Sequence, residues 1–118
     1  MRVESLFHLR IGRDRDLALG PGKVALLEAI GETGSISAAG RKLGMSYRRA
    51  WLLVDALNRS FRAPVTSTAA GGREGGGTAL TALGNEIIRR YRHAEALAAA
   101  AAAKEIAVLQ ELMRDSAC

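Results

Sequence analysis

Two helices joined by a tight turn are predicted by residues 37–57, SAAGRKLGMSYRRAWLLVDAL. Ser37 is a good N-cap for a short helix that ends at Leu43. Gly44 breaks this helix, and Ser46 caps the next one. In the second helix, apolar residues at helical spacing define one buried face: Ala50, Leu53, Val54, Leu57 and Phe61. A short helix, a glycine turn and an amphipathic second helix match a helix-turn-helix.

The second helix carries basic residues outside its apolar stripe. Arg48 and Arg49 lie near its N-terminus, the part of a recognition helix that contacts base edges. Arginine supplies bidentate contacts to guanine or ionic contacts to phosphate. The end capped by Ser46 also favours anions, and Tyr47 either contacts a phosphate or closes the turn. An ordinary helical corner with a solvated basic face is the alternative.

Positive charge is concentrated in the middle of the chain. The 118 residues include 17 Lys and Arg against 12 Asp and Glu, a formal net charge of +5. From Arg41 to Arg73 there are seven basic residues and one acid, Asp55. A basic patch of this kind makes a polyanion the first partner to consider. Within it, we expect Arg59 and Arg62 to lie beside DNA phosphates.

The flanking sequence predicts strands and two further helices. Alternating apolar residues predict a half-buried strand over Val3–Ile11, and Gly12–Asp16 predicts a turn. Pro21 fits the first residue of a helix that stops at Gly31. A hairpin and a long helix follow, with strands at 64–69 and 78–80, Thr81 as a cap, and the helix from about Ala82 to Arg114. The predicted fold class is mainly α with a small β-hairpin, a winged helix-turn-helix with a long C-terminal helix.

The segment GGREGGG, residues 71–77, lies at the tip of the predicted hairpin. Gly71 and Gly76 have the spacing of a phosphate-binding loop, but Gly77 stands where that loop requires Lys, so nucleotide binding is rejected. We interpret the segment as a wing whose glycines allow close approach to a nucleic-acid backbone, with Arg73 at its tip. A solvent-exposed loop without such a role is the alternative.

The last helix is longer than a domain of this size needs. At 1.5 Å per residue it reaches roughly 50 Å, and an isolated helix is marginal without packing. We therefore divide the chain into a winged helix-turn-helix DNA-binding domain, residues 1–81, and a long helix, residues 82–118, that pairs two protomers. The residues expected in the dimer interface are Leu83, Ile87, Tyr91, Leu97, Val108 and Leu112.

Other function classes find little support in the sequence. His8 and His93 are far apart, and no carboxylate pair, His/Cys cluster or nucleophile motif has interpretable spacing. We therefore expect no enzyme, no metal and no cofactor. Trp51, on the flank of the second helix, is interpreted as a packing residue. A lone Cys118, no signal-peptide pattern and no apolar run of membrane-spanning length indicate a cytoplasmic protein without a membrane partner.

A set of short motifs extends over roughly residues 6–91. In order they are Gly34-Ser35-Ile36-Ser37, Gly44-Met45-Ser46-Tyr47, Ala50-Trp51, Asn58, the glycine run 71–77, Leu80-Thr81 and Gly84. Together they resemble the N-terminal winged-helix domain of the ModE-type molybdate-responsive transcriptional regulators. A generic helix-turn-helix lacks the Ser-Tyr and Ala-Trp pairing and this wing. The LysR-type DNA-binding domain is a more distant resemblance.

The resemblance implies a homodimer that binds palindromic double-stranded operator DNA. The contacts it implies are Tyr47, Arg48 and Arg49 in the recognition helix and Arg73 in the wing. Family members that sense molybdate carry a separate oxyanion-binding module after the winged helix. Because this sequence ends at Cys118, straight after the long helix, we do not expect it to bind molybdate. The predicted function is sequence-specific DNA binding for transcriptional regulation, by a dimer.

Two other classes stay open at this point. A dimeric adaptor or architectural protein of winged-helix fold would bind a protein partner, or would bind DNA weakly, salt-sensitively and without regard to sequence. A small enzyme or ligand-sensing subunit would need a pocket with convergent polar groups, and the sequence indicates none.

Overall fold

The computed structural model describes residues 7–13, 16–69 and 77–115. The elements follow one another as β1 (Ile11–Arg13), β2 (Asp16–Leu19), α1 (Pro21–Thr33), α2 (Ile36–Lys42), α3 (Tyr47–Ser60), β3 (Thr66–Ala69), β4 (Gly77–Leu80) and α4 (Ala82–Leu112). β3 and β4 form an antiparallel hairpin next to the helices. The predicted fold class, mainly helical with a small hairpin and a long last helix, is confirmed.

A glycine determines where α1 ends. The helix begins at Pro21, as predicted, but it continues past Gly31 and ends at Thr33. Gly34, with a φ of 72°, takes the left-handed conformation of a C-cap, and its N–H donates to the carbonyl of Ile30 at 2.8 Å. The predicted terminating glycine, Gly31, lies three residues before the observed one, because only Gly34 adopts the backbone conformation that ends a helix.

α2 begins earlier than predicted. Its N-cap is Ser35, whose Oγ accepts a hydrogen bond from the N–H of Ala38 at 3.0 Å. The predicted cap, Ser37, lies inside the helix, where its Oγ accepts from Arg41 at 3.0 Å. Both serines suit the role by residue type. The earlier one is the cap because the chain is still extended there, directly after the turn at Gly34.

The turn between α2 and α3 brings the two helices into close contact. Gly44 has a φ of 72° in this turn. A Cβ at Gly40 would lie 3.1 Å from the Cβ of Ala50, so glycine allows the helices to approach. Ser46 caps α3 as predicted, with its Oγ accepting from the N–H of Arg49 at 3.1 Å. The start of α3 is therefore fixed both by its cap and by helix packing.

The predicted first strand, Val3–Ile11, lies only partly within the described residues. Its segment Phe7–Arg10 forms no strand, and β1 follows after it. β1 pairs antiparallel with β2, so the predicted turn Gly12–Asp16 contributes residues to both strands. Of the alternating apolar residues, Leu9 packs against the core, and its carbonyl accepts a hydrogen bond from the hydroxyl of Tyr91 at 2.6 Å.

The core consists of two groups of buried side chains. One group joins β2, α1, the end of α3, the residue before β3 and α4. Its members are Leu19, Val24, Leu27, Leu57, Val65, Ile87 and Tyr91. The other lies between α1, α2 and α3, and its members are Leu26, Ala29, Ile30, Ala39, Ala50 and Val54. Leu80 packs against both groups. Burial of these apolar surfaces stabilises the helices against each other and leaves one face of α3 in solvent.

The hairpin of β3 and β4 stands beside the helix-turn-helix, as predicted. Its strands pair in register from Thr66 opposite Leu80. The N–H of Thr78 donates to the carbonyl of Gly34 at 2.9 Å, which joins the hairpin to the end of α1. We call this hairpin the wing. Its glycine tip, with Arg73, lies outside the described residues.

α4 is the longest element of the molecule. Thr81 caps it as predicted, with its Oγ1 accepting from the N–H of Gly84 at 3.0 Å. Its 31 residues span about 46 Å. This length accounts for most of the longest dimension of the molecule, 54 Å.

The first turns of α4 belong to the core of the same chain. Ile87 and Tyr91 are buried there, and Leu83 is half-buried against them. The prediction that Ile87 and Tyr91 lie in a dimer interface is therefore corrected, because their side chains are already covered within the protomer. Leu97 and Leu112, further along, are exposed.

Candidate nucleic-acid interface

The N-terminal half of α3 presents basic and apolar side chains to solvent. Its buried residues lie on one side, so the residues between them face outward. The exposed ones at this end are Tyr47, Arg48, Arg49, Trp51 and Leu52. Trp51, interpreted from the sequence as a packing residue, is 47% exposed, so that interpretation is wrong. Sequence reasoning missed it although it lies off the apolar stripe.

Tyr47, Trp51 and Leu52 form what we call the apolar patch. Tyr47 is 58% exposed and Leu52 is 48% exposed. The three side chains line a shallow cavity of about 390 Å³ together with Arg48. The patch therefore shares a cavity with a basic residue on the outward face of α3.

The two arginines at this end of α3 form no ion pair with any of the residues that the structure describes. Further along the helix, Arg59 pairs with Asp55 at 3.1 Å. Such an exposed pair contributes little to stability, so a phosphate can compete for Arg59. Within residues 7–13, 16–69 and 77–115, an anion can therefore bind Arg48 and Arg49 without displacing a carboxylate.

A second group of basic residues lies on the flank of α3. Arg49 borders a cavity of about 410 Å³ that His8, Arg10 and Lys23 also line. These side chains come from the segment before β1 and from the start of α1, so they meet at α3 only in the folded chain. Several positive groups around one concave surface attract a phosphate. Arg10 and Lys23 were not predicted, and no local sequence signal identifies them.

Asn58 connects α3 to the wing. Its Oδ1 accepts hydrogen bonds from the N–H groups of Val65 at 2.8 Å and Thr66 at 3.2 Å, and its Nδ2 donates to Oγ1 of Thr66 at 3.1 Å. The side chain is half-buried, so these bonds replace water at the start of β3. The wing is thereby held at a defined position relative to α3.

Two predicted phosphate contacts, Arg59 and Arg62, lie at the other end of α3. The distance along the helix from Ser46 is about 20 Å. Arg62 is exposed and lies near Glu86, whose pKa is lowered by its hydrogen bond to Arg90 and, to a smaller extent, by the charges of nearby arginines. The structure thus brings Ser46, Tyr47, Arg48 and Arg49 together and separates them from Arg59 and Arg62.

Arg92 has a structural role. Its guanidinium pairs with Glu28 of α1 at 2.6 Å and with Glu95 at 2.9 Å, and its charge lies 5.6 Å from the centre of the Tyr91 ring. The hydrogen bonds to Glu28 raise the pKa of Arg92 above its ordinary value. This cluster fastens α4 to α1 and adds no free charge to the face of α3.

Among the described residues, no group of three or more His, Cys, Asp or Glu side chains could hold a metal ion. The two histidines lie apart, with His8 beside the basic cavity and His93 exposed on α4. None of the helices in residues 7–13, 16–69 and 77–115 is long and apolar enough to cross a membrane.

A helix-turn-helix followed by a two-stranded wing defines a winged helix-turn-helix domain. A solved structure, the CbnR_DBD–DNA complex, has the same fold, with a TM-score of 0.59 and 20% sequence identity. The match covers 75% of this chain and 95% of that chain. In that structure the domain is bound to DNA.

Several curated proteins are similar to this chain in sequence. It is 51% identical over 78 residues to the molybdenum-pterin-binding protein MopB of Rhodobacter capsulatus, covering 66% of this chain and 29% of that protein. It is 41% identical over 91 residues to the molybdenum transport protein ModE of Azotobacter vinelandii, and the match covers 75% of this chain and 34% of that protein. It is 33% identical over 91 residues to the DNA-binding transcriptional dual regulator ModE of Escherichia coli K12, and the match covers 77% of this chain and 34% of that protein.

The chain spans about a third of the length of the curated relatives that it matches. The matched part is their N-terminal third, so the resemblance to the N-terminal winged-helix domain of ModE-type regulators is confirmed. No protein-family model matches the chain.

Proposed function

We propose that this chain binds double-stranded DNA in a sequence-specific manner and regulates transcription. The observation that carries this proposal is the exposed start of α3, where Arg48 and Arg49 have no ion-pair partner among the described residues and follow a helix cap. A regulator named ModE among the relatives is described as DNA-binding. The winged-helix fold is the scaffold on which such helices enter the major groove.

In the proposed complex, α3 lies in the major groove. Arg48 projects from the centre of the outward face and contacts a base edge, for which guanine is the preferred partner of arginine. Arg49, beside the basic cavity, contacts the phosphate backbone. Arg59 and Arg62 contact phosphates at the far end of α3, and Arg73 in the wing reaches the backbone or a neighbouring groove.

We further propose that two copies bind together through α4. Leu97, Val108 and Leu112 are exposed, and their spacings of eleven and four positions place them on one side of a helix with 3.6 residues per turn. Burying such a stripe against a second copy removes apolar surface from water. A two-fold dimer would place its recognition helices about 34 Å apart, one turn of duplex.

Two earlier expectations stay predictions: that the protein is cytoplasmic, and that it does not bind molybdate. The relatives whose names mention molybdenum are about three times as long as the matched region. Adding molybdate to the purified chain and following its thermal unfolding tests the second expectation, since a ligand that binds the folded state raises the midpoint temperature.

Selection from a random duplex pool tests the proposed function. The full chain is mixed with the pool at two salt concentrations, and the bound fraction is sequenced. We expect an enriched palindromic motif that persists at the higher salt. Uniform binding that disappears with salt would indicate phosphate contacts alone and would favour an adaptor or architectural protein.

Sedimentation tests the dimer. The double variant Leu97→Asp/Leu112→Asp places charges in the proposed interface and should sediment as a monomer. Ala107→Asp is the matched control, since Ala107 is exposed on another side of the same helix, and it should stay dimeric. A wild-type protein that is monomeric at micromolar concentration, or a double variant that remains dimeric, would place the interface elsewhere or remove it.

A further inference from the structure

We propose that the apolar patch of α3 reads the C5-methyl groups of thymine bases. This inference rests on the proposed DNA binding and assigns to Trp51 and Leu52 the role of specificity-determining residues. The C5-methyl of thymine is the apolar group that base pairs present in the major groove, where the other distinguishing groups are hydrogen-bond donors and acceptors. An apolar surface on a recognition helix therefore has one matching partner in that groove.

The first argument is that the fold does not need these side chains. The core of the helix-turn-helix is completed by Ala50 and Val54 on the opposite side of α3, which are 0% and 4% exposed. Trp51 and Leu52 follow Ala50 directly but remain about half exposed. A large aromatic ring next to an exposed leucine leaves apolar surface that no residue in the described part of the chain covers. Such a patch on a small domain marks an interaction surface.

The second argument is the charge around the patch. Arg48 lines the same cavity as the apolar patch, and Arg49 follows it along the helix. The acidic residue on this helix, Asp55, is paired with Arg59. An occupant must therefore bring apolar groups and negative charge to the same surface. Thymine methyls in a groove bordered by phosphates satisfy both requirements.

The third argument is position along the helix. Tyr47 and Arg48 lie in the first turn of α3, and Trp51 and Leu52 lie in the second. Residues four apart are neighbours on a helix surface, so Trp51 continues the line of Tyr47 while Leu52 continues that of Arg48. A guanine contact from Arg48 would place Leu52 over a neighbouring base pair. The arrangement predicts an operator in which a thymine lies near the guanine.

The experiment replaces thymine by deoxyuridine in the selected operator. Deoxyuridine keeps the base pairing and every hydrogen-bonding group and removes only the methyl. For the wild-type chain, we expect binding to weaken about fourfold for each methyl that the patch covers, the factor equivalent to burying about one CH₂-sized group. The substitution is made one position at a time and measured by electrophoretic mobility.

Variants assign the effect to the patch. Trp51→Ala and Leu52→Ala should each bind the thymine operator more weakly than the wild type. In each variant, the loss of affinity caused by deoxyuridine (the deoxyuridine penalty) should disappear at one position. Arg48→Ala is the control, because it should lose affinity but keep the penalty. Circular dichroism verifies folding, and Trp51→Phe, which retains an apolar ring, should keep part of the penalty.

The outcomes separate this inference from the proposed function. A selected motif that binds equally well with deoxyuridine at every position overturns methyl reading while leaving sequence-specific binding intact. Methyl reading is also overturned if both alanine variants bind DNA like the wild type. In that case the patch would be free for a protein partner. If no motif is enriched at all, both proposals are overturned.

Discussion

Oδ1 of Asn58 accepts a hydrogen bond from the backbone N–H of Val65 at 2.8 Å. The bond joins the last turns of the recognition helix to the start of the wing. The same oxygen also accepts from the N–H of Thr66, so one side chain satisfies two backbone N–H groups at this point. The two elements proposed to contact DNA are therefore linked directly by a residue that does not itself lie on the exposed face of α3.

Asn58→Ala should destabilise the protein by about 1–3 kcal/mol, because two backbone N–H groups lose their acceptor in a half-buried place. Urea denaturation measures the change. Asn58→Asp keeps the accepting oxygen and should cost less. Arg59→Ala, one position along and exposed, is the control and should change stability by no more than about 0.5 kcal/mol. Equal stabilities for Asn58→Ala and Arg59→Ala would show that the hydrogen bonds of Asn58 do not hold the wing in place.

A pair of glycine substitutions tests the close approach of α4 to the wing. A Cβ at Gly84 would lie 2.2 Å from the carbonyl oxygen of Val65, which is backbone and cannot swing away. Gly84→Ala should therefore lower the midpoint of thermal unfolding strongly. Gly22, in α1, has no atom within 4 Å of the same position. Gly22→Ala should stabilise by about 0.4–1 kcal/mol, since alanine reduces the freedom of the unfolded chain. If the two variants unfold at the same temperature, the close backbone approach at Gly84 does not limit stability.

Arg48 and Arg49 should differ in their effect on DNA binding. Arg48→Ala should weaken binding to the selected operator by about 1–3 kcal/mol and relax the preference at one base pair. Arg49→Ala should weaken binding to all sequences alike and reduce the slope of log affinity against log salt by about one. Titrations with operator and scrambled duplexes at several salt concentrations distinguish them.

Arg90→Ala is the control for the loss of one positive charge. Arg90 is exposed on α4 and already paired with Glu86 at 2.8 Å, away from the start of α3. Its variant should bind the operator nearly as well as the wild type. If it weakens binding as much as Arg48→Ala, net charge rather than position determines affinity.

Stability should fall at alkaline pH through Tyr91. Burial, with a smaller contribution from Glu95, raises the pKa of its phenol above the ordinary value of about 10. The folded state thus holds the phenolic proton more tightly than the unfolded state does, and this stabilisation is complete below about pH 10 and lost as pH rises through the folded pKa.

Tyr91→Phe removes both the titration and the hydrogen bond to Leu9. At neutral pH the variant should be less stable by about 1 kcal/mol, and the difference from wild type should shrink above pH 10. Urea midpoints from pH 7 to 11 measure it. Tyr47→Phe, at an exposed phenol, should reproduce the wild-type profile. If the stability difference between wild type and Tyr91→Phe stayed constant from pH 7 to 11, Tyr91 would not be the group whose titration lowers stability.

Local patterns predicted the elements that frame the interface. The serine before α3, the glycine turn and the apolar spacing of Ala50, Val54 and Leu57 all depend on residues close together in sequence, and the structure has α3 as they indicate. The same kind of reasoning misplaced the cap of α2 because Ser35 and Ser37 are equally suitable by type. Only the path of the chain after Gly34 distinguishes them.

Features that depend on distant contacts were not predictable. Arg10 and Lys23 meet Arg49 around one cavity, although they are far from it in sequence. Tyr91 carries the helical spacing of an interface residue, yet it is buried because the segment before β1 covers it. A single sequence shows that a side chain is apolar and on a face, but it does not show which neighbour covers that face.

Trp51 is the one tryptophan in the sequence. Its indole is the chain's main intrinsic fluorophore, and it is located on the surface proposed to face the groove rather than in the core. Its emission should therefore respond to occupancy of α3 more than to small changes elsewhere in the fold. An unlabelled chain carries its own optical reporter: quenching by acrylamide should be strong in the free protein and suppressed when the groove is filled.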